Sequence, residues 1–176
     1  MDKTQRGVAA GMAAGAIAGI TGLFLAAFLT TNFLGPSAVL QDRLFIAALA
    51  ALAPVFSLIF SVARLARHRF FTPEDINGSG LVAGTDTASL LQALIQNTLE
   101  QAVLAVPVYF CCAIVFPIEY LGTVVAGGAM FLIGRISFFL GYQYGAPSRA
   151  FGFAFTFYPT VLLAISAAYF IVEYNV

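Results

Sequence analysis

The sequence predicts an all-α integral membrane protein, a helical bundle of five transmembrane helices. Of its 176 residues 61% are hydrophobic and only 9% charged, too little charge to cover the surface of a water-soluble domain. The apolar residues fall into five continuous runs, each near the ~20 residues that span a bilayer as a helix. Strands of a membrane barrel would instead alternate apolar and polar side chains. Lysine and arginine collect at alternate junctions between the runs. The formal net charge of zero leaves no electrostatic footprint for a nucleic acid.

The first run extends from about Gly7 to Leu34, where Gly35 and Pro36 end it. It is longer than a signal-peptide core and precedes no convincing small-residue cleavage site, so it is read as retained. Gly7, Gly11, Gly15 and Gly19 recur every four residues. Such stripes let membrane helices approach closely, although alanine- and glycine-rich helices also produce them by chance. The sequence favours packing and leaves the partner helix open. The second run, about Leu44 to Leu65, closes in a basic stretch containing Arg64, Arg67, His68 and Arg69. His68 reads as a solvated charge there rather than a metal ligand, and no metal site is expected. A polar loop from Phe70 to about Asp86 holds the turn formers Pro73, Asp75, Asn77, Gly78, Ser79 and Gly80.

The third run spans about Thr87 to Phe116, the fourth Leu121 to Tyr144, and the fifth Arg149 to Val172. Pro54, Pro107 and Pro159 fall inside runs, where they shape a membrane helix by local kinking. Cys111 and Cys112 are adjacent, a spacing that fits no zinc or redox motif, and read as buried spectator thiols. Lys3, Arg6, Arg64, Arg67, Arg69 and Arg149 share one side if all five runs span. The positive-inside rule then predicts a multi-pass protein of the inner or plasma membrane, if bacterial, with its N-terminus in the cytoplasm.

Polar residues inside these runs are candidates for function, because charges are costly in a bilayer. Asn97 and Glu100 share a face near the start of the third helix, and Gln96 stands one turn before Glu100. Arg135, Phe138 or Phe139, and Tyr142 recur at helical spacing on the fourth. By depth, Glu100 is the natural counter-ion of Arg135, and the two are expected to pair between helices. That pair could equally do no more than tie the helices together. Ser148 is a plausible N-cap for the fifth helix. Its free amides, with Arg149 in the first turn, would favour an anion. The bland alternative for Arg149 is an arginine snorkelling to water.

Three stretches resemble the MAPEG family, the membrane-associated proteins in eicosanoid and glutathione metabolism that include microsomal glutathione transferases and prostaglandin E synthase. Residues 64–75, RLARHRFFTPED, are similar to the end of the family's first helix and a loop with Pro-Glu-Asp. Residues 96–100, QNTLE, resemble its Asn-x-x-Glu at the start of the second helix. Residues 135–149, RISFFLGYQYGAPSR, are similar to the end of the third, with an arginine seven residues after a tyrosine. The likeness divides the chain into residues 1–43, an additional transmembrane helix and connector, and 44–176, a MAPEG-like four-helix domain.

The resemblance implies a homotrimer that binds glutathione, as co-substrate, between subunits at the cytosolic side. Arg64, Asn97, Glu100 and Arg135 would bind it, and Arg149 with Tyr142 would be catalytic, Arg149 stabilising the thiolate. The sequence departs from the family at Ala93 and Gln96, where members often carry arginine, and at Phe138, where tyrosine or histidine is frequent. The function implied is a glutathione-dependent transferase or peroxidase, acting on lipophilic electrophiles or lipid hydroperoxides drawn from the membrane lipid. The alternative is a non-catalytic bundle that binds lipid or small molecules, or is structural. A transporter gated by Glu100 and Arg135 fits less well, because transporter sites lie near the midplane with broken helices.

Overall fold

The computed structural model describes residues 1–29, 39–78 and 81–174. Five helices account for most of them: α1 (Lys3–Leu29), α2 (Leu40–Phe71), α3 (Asp86–Val115), α4 (Leu121–Tyr142) and α5 (Ala146–Tyr174). Short 3-10 turns occupy Pro73–Asp75 and Ile118–Tyr120. All five helices are long and apolar enough to cross a membrane, and no strand occurs among the described residues. The expected end of the first run at Leu34, its Gly35-Pro36 stop, and the loop residues Ser79 and Gly80 lie outside the described residues.

The helix ends follow from local chemistry. Asp2 and Gln5 exchange backbone N–H donors reciprocally at 2.7 and 3.0 Å, a capping box that starts α1. Thr85 caps α3, its hydroxyl accepting from the Ala88 N–H at 3.2 Å. The last carbonyls of α3 are covered from outside the helix: Arg43 Nη1 donates to Ala113 O at 3.0 Å and to Phe116 O at 2.8 Å. At the α4–α5 junction Gly145 adopts φ +96°, a conformation that strains any side chain, and its N–H returns to Tyr142 O at 3.3 Å. The chain reverses there, so α4 stops at Tyr142, short of Tyr144, and α5 begins at Ala146. Ser148 is consequently not the N-cap. It lies inside the first turn, and its hydroxyl donates weakly to Tyr144 O at 3.4 Å.

Close approach between helices depends on small residues. The glycine stripe of α1 finds its partner within the same chain: Gly7 meets Pro147, Gly11 Ala150, Gly15 Ala154 and Gly19 Pro159 on α5. Residue numbers rise together on both sides, so α1 and α5 run parallel. A Cβ at Gly15 would stand 2.5 Å from the Phe151 carbonyl oxygen, so this seam excludes even alanine without a shift of backbone. Gly134 on α4 and Gly152 on α5 make a second, antiparallel seam, where a Cβ on Gly152 would lie 2.6 Å from Gly134 O.

The core has two parts. A larger cluster around Tyr109, Cys112, Leu121, Val124 and Phe131 fills the half away from the basic loop, and a smaller one of Leu65, Leu91, Leu94 and Phe138 fills the other. Hydroxyls buried between helices return to their own helix, as Ser57 does to Ala53 O and Thr98 to Leu94 O, which meets the demand of an anhydrous interior. Cys112 is buried as expected and donates to Leu163 O at 3.4 Å. Cys111 is exposed on the outer face of α3, contrary to the reading of both thiols as buried, because successive helical residues point about 100° apart.

Candidate functional site

The sequence-selected residues do not all meet. Asn97 of α3, Tyr142 of α4 and Arg149 of α5 line one cavity of about 250 Å³, together with Phe138, Phe153 and two residues of α1, Val8 and Met12. The cavity lies at the end of the bundle where α4 hands over to α5. Arg149 stands in the first turn of α5, and its guanidinium carbon sits 4.3 Å from the centre of the Tyr142 ring. A cation on a ring face is favoured by the ring quadrupole, which fixes the guanidinium beside the cavity. The free amides of the helix start add positive potential there.

Arg135 is the largest of the fully buried side chains. Its Nη1 donates to Asn97 Oδ1 at 2.8 Å and its Nη2 to Thr156 Oγ1 at 3.0 Å. Its guanidinium carbon lies 4.3 Å from the Phe138 ring centre and 5.8 Å from that of Phe131. The expected Glu100–Arg135 ion pair does not form. Glu100 is exposed and accepts from Gln96 Nε2 at 2.9 Å, one turn back on the same helix. The reason is angular. Asn97 and Thr98 turn inward, so Glu100 faces away from α4, and Arg135 is held by neutral groups and rings. Arg64 is likewise exposed, 5.7 Å from the Phe60 ring and outside the cavity.

One ion pair occurs among the described residues, and it lies in the loop. His68 Nε2 meets Asp75 Oδ2 at 2.7 Å, so His68 is not the solvated charge its basic surroundings suggested. Asp75 is buried and also accepts from the Thr85 N–H at 2.8 Å and the Thr85 hydroxyl at 2.7 Å. The Thr85 hydroxyl, then its amide, hold the Asp75 carboxyl below its ordinary range, with His68 adding to them against the opposing effect of burial. This knot joins the end of α2, the loop and the start of α3. Beside it a second cavity, of about 370 Å³, is lined by Arg69, Asp75, Gln92, Ala93 and Gln96.

Sequence reasoning missed Thr156, Val8 and Met12. Thr156 was legible only as a lone hydroxyl in the aromatic stretch FAFTFYPT, and its role depends on the Gly134–Gly152 contact that brings α5 against α4. Val8 and Met12 gave no signal, because nothing local says which helix α1 will lie against. No cluster of three or more potential metal ligands occurs among the described residues.

A sequence model described as the MAPEG family matches residues 43–169, which covers α2 to most of α5 and leaves α1 outside. No curated protein sequence and no solved structure matches the chain.

Proposed function

Since this chain belongs to the MAPEG family, a family of membrane proteins that generally use glutathione and are generally trimeric, we propose that it is a glutathione-dependent transferase or peroxidase. Its acceptors would be lipophilic electrophiles or lipid hydroperoxides that reach it through the bilayer. The observation that carries this reading is Arg149, held over Tyr142 at the start of α5 beside a cavity that also contains Asn97. A cation and a helix N-terminus lower the pKa of a nearby thiol. The glutathione thiol would lose its proton there, and the sulfur would bond to the electrophilic carbon as that carbon's π bond or leaving-group bond breaks and the displaced electron pair takes up a proton. With a hydroperoxide the thiolate would attack the terminal oxygen and break the O–O bond, releasing the lipid alcohol and glutathione sulfenic acid, which a second glutathione would convert to the disulfide and water. Exposed Arg64 and Glu100 suit a cleft completed by a neighbouring subunit, which supports a homotrimer with residues 1–43 as an added helix and connector. The basic ends of the helices support a cytoplasmic N-terminus.

A second reading, a bundle that binds lipid or small molecules without catalysis, draws on Phe138, which packs on Arg135 and has no hydroxyl, and on the absence of arginine at Ala93 and Gln96. Arg69 lines the same cavity as those two positions, so a cation remains in that region. Glutathione binding to the purified, detergent-solubilised protein separates the readings, with thiolate absorbance followed by stopped flow. Arg149→Ala is expected to slow thiolate formation far more than it weakens binding, and Arg64→Ala to do the reverse. No binding at millimolar glutathione would leave the non-catalytic reading standing. A monomer in native mass spectrometry would remove the shared cleft.

A further inference from the structure

A guanidinium carries only donors. When Arg135 Nη1 lies 2.8 Å from the side chain of Asn97, the atom facing it must be the amide oxygen. The amide nitrogen of Asn97 is then turned away from Arg135, and Asn97 lines the cavity that holds Arg149 and Tyr142. Arg135 itself does not line that cavity. It is fully buried behind Asn97 and braced by Thr156, with its Nε unpartnered and no carboxylate paired to it among the described residues. No carboxylate lines the cavity either.

We propose that Arg135 is a positioning residue, which locks the Asn97 amide with its NH2 group toward the cavity and so makes that wall a donor to an anionic, acceptor-rich ligand. For the glutathione reading, on which the choice of ligand rests, this means a carboxylate or peptide carbonyl of the tripeptide received by Asn97. The arrangement also explains why a charge is kept in the bundle without a counter-ion. A carboxylate at position 97 would neutralise Arg135 but would present no donor to the cavity and would repel an anion. An asparagine leaves the positive potential of Arg135 acting through to the ligand.

The discriminating substitution is Asn97→Asp. It gives the buried guanidinium its missing anion, so the melting temperature in detergent is expected to rise, while affinity for glutathione by calorimetry falls about tenfold or more through loss of a hydrogen bond to a charged group. Arg135→Met keeps the bulk and frees the amide. In protein labelled with 15N-asparagine it should collapse the shift separation of the Asn97 NH2 protons and weaken glutathione binding, and Arg135→Lys should restore part of both. An unchanged or lowered melting temperature for Asn97→Asp would overturn the lock. Glutathione binding by Asn97→Asp equal to that of the unmodified protein would overturn the donor role. If the unmodified protein binds no glutathione yet Asn97→Asp is stabilised and the NH2 signals respond to Arg135→Met, the lock stands and the glutathione reading falls.

Discussion

Two polar clusters secure the basic half of the molecule, and they solve the same problem in opposite ways. In the loop, the Asp75 carboxylate gathers His68 and both donors of Thr85 around itself. Between the helices, Arg135 meets no carboxylate among the described residues and rests on an amide, a hydroxyl and two rings. In the loop the buried carboxylate is met by His68 and by the amide and hydroxyl of Thr85, which offset its burial and pin the turn. Deep in the bundle the partners of Arg135 are neutral acceptors and ring faces, which hold the guanidinium without cancelling its charge. The first arrangement stabilises; the second keeps its positive potential available.

The sharpest way to break this contrast is at Arg135. Arg135→Ala leaves a cavity and is expected to cost about 2–5 kcal/mol, whereas Arg135→Met should recover most of that loss, since a well-packed apolar side chain often replaces a buried charge without penalty. Chemical or thermal unfolding in detergent checks both. If Met destabilises as much as Ala, the charge itself holds the fold and the contrast fails.

Asp75→Asn comes next, with a drop in melting temperature smaller than that of Arg135→Ala. The pH dependence has a defined sign. The folded carboxyl lies below its ordinary value of 3.8, so its contribution is complete above that value and is lost only as pH falls through the lower folded pKa. Melting temperature attributable to Asp75, taken as the difference from Asp75→Asn, should be flat down to about pH 5 and shrink below about pH 4. A loss beginning near neutrality would point to a different group.

The smallest effect is expected at Glu100. It is exposed and, among the described residues, bonded to Gln96 on its own helix alone, so Glu100→Gln should change stability by less than about 0.5 kcal/mol. A larger loss would revive the pairing with Arg135.

The helices were legible because hydropathy along the chain is a one-dimensional signal, but α2 outruns its expected Leu44–Leu65 at both ends, to Leu40–Phe71, carrying the basic stretch and Phe70 on the helix, and α4 stops early where a left-handed glycine intervenes. Asn97, Tyr142 and Arg149 were legible through their spacing and depth. Depth, however, says nothing about the rotation of one helix against another. Glu100 has the right height to meet Arg135 and the wrong azimuth, and Thr156 became its partner through the contact at Gly134 and Gly152. His68 was misread for a related reason: its partner follows seven residues later, past a turn whose geometry is set by Thr85.

The parallel seam between α1 and α5 also constrains how the protein is made. Gly7 packs on Pro147 and Gly19 on Pro159, so α1 pairs with a helix that is synthesised only after α2, α3 and α4. Until α5 is made, Gly7, Gly11, Gly15 and Gly19 lack the neighbours they pack on, and the wall that Val8 and Met12 give the cavity does not exist. Contacts so far apart in the chain form late, because the entropy of closing the intervening loop must be overcome first. The nascent chain therefore passes through a stage in which α2, α3 and α4 have been made while the Arg149 cavity is unassembled, and the cavity is completed only when α5 joins them.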